Sequence, residues 1–178
     1  MKIETVKFIN NLAKEIIEKN NITIPIKDMW EVVRSLGGYV KSKNAFIEED
    51  WLPGTVKRID KDNFVIKIDK FFFDEERENF AIASELGHLY LHTGYQILPE
   101  LWEEQPEDEY ICFYKDEQKY QAHEFAHAFL MPVKEYRKAI NENTEGDGRI
   151  NIKNVAKYFN VSVAAATNRG KRLGVIEW

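Results

Sequence analysis

The four histidines of the chain fall into two short stretches. The first, residues 80–92, reads Phe-Ala-Ile-Ala-Ser-Glu-Leu-Gly-His-Leu-Tyr-Leu-His, with Ser84, Glu85 and His88 at the spacing of an H-E-x-x-H motif and His92 one turn further on. In that motif two imidazoles one helical turn apart, with Cβ atoms roughly 5–6 Å apart, grip one zinc ion. The glutamate beside the first imidazole then activates the metal-bound water. Here Ser84 takes the place of the first imidazole, and a neutral hydroxyl is not among zinc's usual ligands. Glu85 keeps the position of the base, and His88 that of one ligand. The second stretch, residues 119–132, has apolar residues at 122, 125, 126, 129 and 130 and ends on Met131-Pro132, the pattern of a core helix stopped by proline. It contains a complete H-E-x-x-H of its own, His123, Glu124 and His127. A working metal site there needs a third ligand, for which His88 or His92 on a neighbouring helix is the obvious imidazole source.

Taken together, the two stretches resemble the ImmA/IrrE family of metallopeptidases, whose members look like A-H-E-L-G-H-L-x-L-H followed by E-x-x-A-N-x-F-A-A-x-L-L-M-P. Residues 83–92 and 119–132 agree with these patterns at most positions, and a weaker resemblance runs from about residue 27 to 173. Alignment on Met131-Pro132 sets Lys119 where the family carries its third zinc ligand, a glutamate, and His123 where it carries asparagine; His127 replaces a packing alanine. The resemblance implies a zinc-dependent peptidase fold, in a family whose members cleave phage-like repressors and release mobile-element genes.

Three readings follow. In the favoured one the chain keeps the peptidase fold, has lost hydrolysis, needs no cofactor and binds a repressor-like protein as a pseudopeptidase. Lys119 then pairs with Glu85 as a monovalent substitute for the metal. In the second the chain is an active zinc endopeptidase, with the site either at Glu85 and His88 or relocated to His123, Glu124 and His127. In the third it is a DNA-binding regulator acting through a basic C-terminal tail.

Composition narrows the setting. At 178 residues, 44% hydrophobic and 31% charged, the chain is long enough for one real core and too apolar for disorder. A net charge of -5 disfavours a generic nucleic-acid binder. The single cysteine, Cys112, cannot form an internal disulfide. No secretory leader and no apolar run of about 18 residues is visible, so a cytoplasmic protein without membrane contact is expected.

The elements that must position these residues follow from periodicity. Val6, Ile9, Leu12, Ala13, Ile16 and Ile17 predict a helix over residues 3–19, and a short helix from Met29 is stopped by Gly37-Gly38. Tyr39-Val40 opens a strand, Pro53-Gly54 marks a turn, and residues 55–59 and 64–68 alternate as a β-hairpin. Phe71-Phe72-Phe73 reads as a buried strand end or the approach to a helix, and Asp74 as the N-cap of the central helix, which Gly94 ends. Residues 99–110 are acidic around Trp102 and read as a solvated loop, with a flap over the cleft as the alternative. The expected fold is α+β: zincin-like helices packed on a small antiparallel sheet, with residues 1–141 as the peptidase-like domain. Residues 142–178 form a helix-turn-helix-like tail packed on it, with Ser162 as an N-cap and Lys153, Lys157, Arg169, Lys171 and Arg172 as its basic residues.

Overall fold

The computed structural model describes residues 1–43, 55–69, 74–107, 109–111, 113 and 115–177. The expected turn at Pro53-Gly54, the Phe71–Phe73 run and Cys112 lie outside the described residues.

The chain opens with α1 (Ile3–Lys19), whose apolar stripe Ile9, Leu12, Ala13, Ile16 and Ile17 is buried. Next comes α2 (Met29–Ser35), where the Asp28 carboxylate accepts from the backbone N–H of Trp30 and Glu31 at 2.8 and 3.0 Å and so satisfies two donors of the first turn. Three strands follow, β1 (Gly38–Lys43), β2 (Thr55–Arg58) and β3 (Phe64–Asp69). The β2–β3 turn is held by Asp60, whose Oδ1 accepts from the N–H of Asp62 and Asn63, both at 2.8 Å. A last short strand, β4 (Tyr110–Ile111), pairs antiparallel with β2.

The sheet order is β1-β3-β2-β4. β2 and β3 form the expected hairpin, but β1 joins the outer edge of β3 in parallel, Gly38 opposite Phe64 through Lys43 opposite Asp69. The sheet is therefore mixed, one parallel pair beside two antiparallel ones. The junction between α2 and β1 is tight. Gly37 has φ +93°, and a Cβ there would lie 2.4 Å from the Asp62 carbonyl oxygen and 2.8 Å from the Tyr95 hydroxyl. That hydroxyl sits 2.7 and 2.8 Å from the carbonyl oxygens of Leu36 and Asp62, tying the start of the sheet to the segment after the central helix.

The central helix α3 (Glu75–His92) starts on Asp74, whose carboxylate accepts from Arg77 N–H at 3.0 Å, with Glu75, Glu76 and Glu78 in the first turn where the helix dipole favours them. The acidic segment after it is only partly a solvated loop. It forms α4 (Pro99–Glu103), whose glutamates Glu100 and Glu103 are exposed, but Trp102 is buried and donates its indole N–H to the Lys61 carbonyl at 2.8 Å. Arg58 adds a hydrogen bond to the Gln105 carbonyl at 3.2 Å and an ion pair to Glu107 at 3.0 Å. This segment is thus fastened to the β2–β3 hairpin, which sequence pattern could not show because its anchors are single residues.

The remaining elements are α5 (Asp116–Leu130), α6 (Val133–Glu142), α7 (Ile152–Phe159) and α8 (Val163–Arg172). Ser162 caps α8, its Oγ accepting from Ala165 N–H at 3.1 Å. Val155, Phe159, Val161, Ala165 and Ala166 belong to the same buried cluster as Ile9, Leu86 and Phe125, so the C-terminal helices share the core of the rest. Asn160 fastens them to the start of α3, donating to Glu75 at 2.7 Å and accepting from Asn79 at 3.3 Å.

Candidate functional site

The most extensive packing between two elements joins α3 and α5. Their crossing point is set by two small residues. A Cβ on Gly87 would lie 2.9 Å from both the Cα and the carbonyl oxygen of Ala122, closer than real side chains come to a backbone. The two helices can approach this closely only because Gly87 has no side chain and Ala122 almost none. This contact fixes the register of the two histidine-bearing stretches, bringing His88 into electrostatic range of Lys119 and His123.

On α3, Ser84, Glu85 and His88 are all buried. The Ser84 hydroxyl donates to its own helix, to the Phe80 carbonyl at 2.9 Å. Glu85 Oε2 is buried without a hydrogen-bond partner among the described residues, and burial pushes its carboxyl up to about pH 8, so near neutrality the acid form predominates. The expected Lys119–Glu85 ion pair is not formed: Lys119 is exposed and makes no ion pair among the described residues. A lysine whose ammonium keeps its hydration avoids the desolvation that a buried pair imposes.

His88 stacks on Phe113, centroids 4.2 Å apart and planes within 9°. Its Nδ1 is 3.0 Å from His92 Nδ1, while His92 Nε2 is 2.9 Å from Gln121 Oε1. The amide oxygen can only accept, so His92 carries its proton on Nε2 and accepts at Nδ1; His88 therefore donates from Nδ1, which leaves its Nε2 as a bare lone pair. Burial first, then the neighbouring His92, His123 and Lys119, hold His88 neutral, with its pKa lowered to about 3.

On α5 the three residues of the second motif part company. His123 and His127 both lie edge-on to Phe80, with centroids 5.6 and 4.9 Å from it. Burial, with Arg172, Arg169 and His123 nearby, lowers His127 to about 3, and its Nδ1 has no partner among the described residues. Burial also lowers His123, helped by Arg172 and Lys119. Glu124 is engaged elsewhere. It is 1% exposed, accepts from Asn10 Nδ2 at 2.9 Å and from Arg169 Nη1 at 3.4 Å, and closes an ion pair with Arg172. Arg169, itself fully buried, also donates to the Met131 carbonyl at 3.0 Å and to Asn10 Oδ1 at 2.9 Å. Of the five basic residues of the tail, Arg169 is therefore buried and Arg172, still partly exposed, is ion-paired to Glu124.

The sequence profile of the IrrE N-terminal-like domain, Peptidase_M78, matches residues 53–171. The chain belongs to this family. A solved structure of a Mycobacterium tuberculosis transcriptional regulator superposes with a TM-score of 0.57 at 17% identity, covering 93% of this chain and 46% of that one. At that identity the likeness is one of fold, and the chain spans about half the length of the solved protein. No curated protein matches the chain in sequence.

Peptidase_M78 proteins are in general zinc-dependent, and the donors present here do not fit a zinc ion. At the three positions that the resemblance gives to zinc ligands stand the hydroxyl of Ser84, already committed to its own helix, the imidazole of His88 and the ammonium of Lys119. A cation at the third position repels a dication. Among the described residues no group of three or more His, Cys, Asp or Glu side chains converges as a metal cage. Around the second motif, Phe80 packs against both imidazoles and two arginines hold the intervening carboxylate. No helix among the described residues is long and apolar enough to cross a membrane.

Sequence reasoning singled out all four histidines but missed Phe80, Phe113 and Gln121, which wall and orient them, and Asn10 as a partner of Glu124. Phe80 and Gln121 sit one turn from Ser84 and from Phe125 along their helices, a spacing that could have marked them as facing residues. Asn10 carries no local signal of its role.

Proposed function

We propose that this Peptidase_M78 chain is a pseudopeptidase: it keeps the cleft between α3 and α5 for binding an extended segment of a repressor-like protein and does not hydrolyse it through zinc. What supports the reading is the presence of Ser84 and Lys119 at positions that the resemblance gives to zinc ligands, beside the one imidazole of His88. The regulator-like fold neighbour is consistent with a role in gene control exerted through a protein partner. A reading as an active enzyme centred on His123, Glu124 and His127 finds less support, because the base it requires is buried and neutralised by Arg169 and Arg172. The DNA-binding reading loses Arg169 to the interior, and Arg172 is ion-paired to Glu124. Without zinc, the residues of the cleft can still bind: His88 Nε2 accepts a peptide N–H, and the neutral Glu85 carboxyl can donate one hydrogen bond.

Elemental analysis of untagged protein tests this reading. The wild type is expected to carry only background zinc and to leave a repressor-type substrate intact. The Ser84→His, Lys119→Glu double variant is expected to hold close to one zinc per chain, since it restores a three-donor set. Wild-type protein that arrives with stoichiometric zinc and cleaves would overturn the proposal. A double variant that stays metal-free would show that the ligand positions have been misassigned or their supporting residues have drifted.

A further inference from the structure

The exchange at Lys119 does more than remove a ligand: it reverses the charge of the site. Lys119, Arg169 and Arg172 stand around the histidine row, against Glu85 and Glu124. With Glu85 in its acid form, the sum is three positive charges against the one negative charge of Glu124, +2, in a chain whose net charge is -5. Lys119 lies one turn before His123 on α5, and Arg172 bonds Glu124, the residue after His123, so the two cations border one place. Neither is fully engaged by the protein. Lys119 is exposed and makes no ion pair among the described residues. Arg172 reaches Glu124 through Nη1 alone, and its side chain is still 32% exposed, so its Nη2 and Nε remain to meet a ligand. Arg169 already holds the buried side of Glu124, which leaves Arg172 the more weakly committed of the two. A buried nitrogen without a partner among the described residues, His127 Nδ1, lies in the same row.

Resting on the reading of the cleft as a peptide-binding site, we propose that it selects partners bearing a carboxylate, an Asp or Glu side chain of the bound segment, which sits between Lys119 and Arg172 beside His123. The cation that the family's carboxylate once helped to hold is replaced by protein cations, and the complementary ligand changes sign with it. The bidentate face of Arg172 favours a planar carboxylate over a diffuse anion, and Lys119 supplies a mobile second charge. An aliphatic peptide leaves both cations hydrated and gains nothing from them.

The test is selection of random linear peptides displayed on phage against the full-length protein, followed by calorimetric titration of the selected peptides in synthetic form. The expected result is an Asp or Glu at one fixed position of the enriched sequences. Affinity should fall about tenfold when that residue is changed to Asn or Gln, and about tenfold in Lys119→Ala, with Lys119→Arg restoring most of it. Raising salt should weaken the acidic peptides and not their amide counterparts. Enriched peptides without an acidic residue, or acidic peptides indifferent to Lys119→Ala, overturn the carboxylate preference and leave peptide binding standing. No enrichment over a blank surface overturns peptide binding itself, and the preference with it. Because Lys119 is exposed, its variants should keep the wild-type circular dichroism and melting behaviour, and this serves as the folding control.

Discussion

Replacing Glu124 with Gln removes one charge from a cluster that the rest of the fold cannot rehydrate. Glu124 is 1% exposed and Arg169 fully buried, and the carboxylate serves Asn10, Arg169 and Arg172 at once. Gln keeps the volume and one acceptor oxygen, so Asn10 or Arg169 retains a partner. Its amide group then turns N–H donors toward an arginine that has only donors, and the Arg169 guanidinium is left without a counter-charge in the interior. Breaking a buried pair from one side costs about 3–5 kcal/mol, most of it the cost of the stranded charge. For a chain of this length that corresponds to a fall in Tm of roughly 6–20 °C. Urea denaturation followed by circular dichroism gives the free energy, and Glu124→Leu with Arg169→Met gives the control. If the loss is the stranded charge, removing both partners should cost clearly less than Glu124→Leu alone, and the double-mutant cycle should give a coupling of at least about 2 kcal/mol. A Gln variant within about 1 kcal/mol of wild type, or single changes that simply add, refutes the reasoning and returns Glu124 to consideration as a base poised in a cleft.

Two further outcomes are expected. Glu85 has a folded pKa raised by burial from 4.5 to about 8, so its contribution to stability is fully present below pH 4.5 and is lost as pH rises toward 8. Glu85→Gln should therefore gain on wild type between pH 5 and 8, by at most about 1.4 kcal/mol per pH unit, in urea titrations run with chelator present; a constant difference across that range contradicts a buried, unpaired carboxyl. Gly87→Ala improves helix propensity by about 1 kcal/mol, yet sets a methyl 2.9 Å from the Ala122 backbone. A net destabilisation of about 1–3 kcal/mol is expected by thermal melting, and a stabilised variant would show that the helices cross elsewhere.

Much of this molecule was legible before any coordinate. The caps at Asp74 and Ser162, the buried stripe of α1, the β2–β3 hairpin and both histidine-bearing helices are local features, and residues within a few positions of one another determine them. Family membership was legible for the same reason. Gly87, Ala122 and Met131-Pro132 sit at fixed offsets along the two stretches, so the pattern is recognisable with Ser84 and Lys119 in place of the residues the resemblance implies. What the linear chain could not decide is which charge meets which. Lys119 and Glu85 were the natural pair by alignment, but solvating an ammonium at the rim costs less than burying it, and the carboxyl stays unpaired and neutral instead. Arg169 and Arg172 read as a basic surface, yet Glu124, 45 and 48 residues away, and Asn10, 114 residues from that glutamate, bury Arg169 and hold Arg172 in an ion pair. The parallel pairing of β1 and the burial of Trp102 are of the same kind. Periodicity and capping report the neighbours a residue has along the chain. The partners of Glu124 come from α1 and α8, and only the tertiary fold brings them to α5.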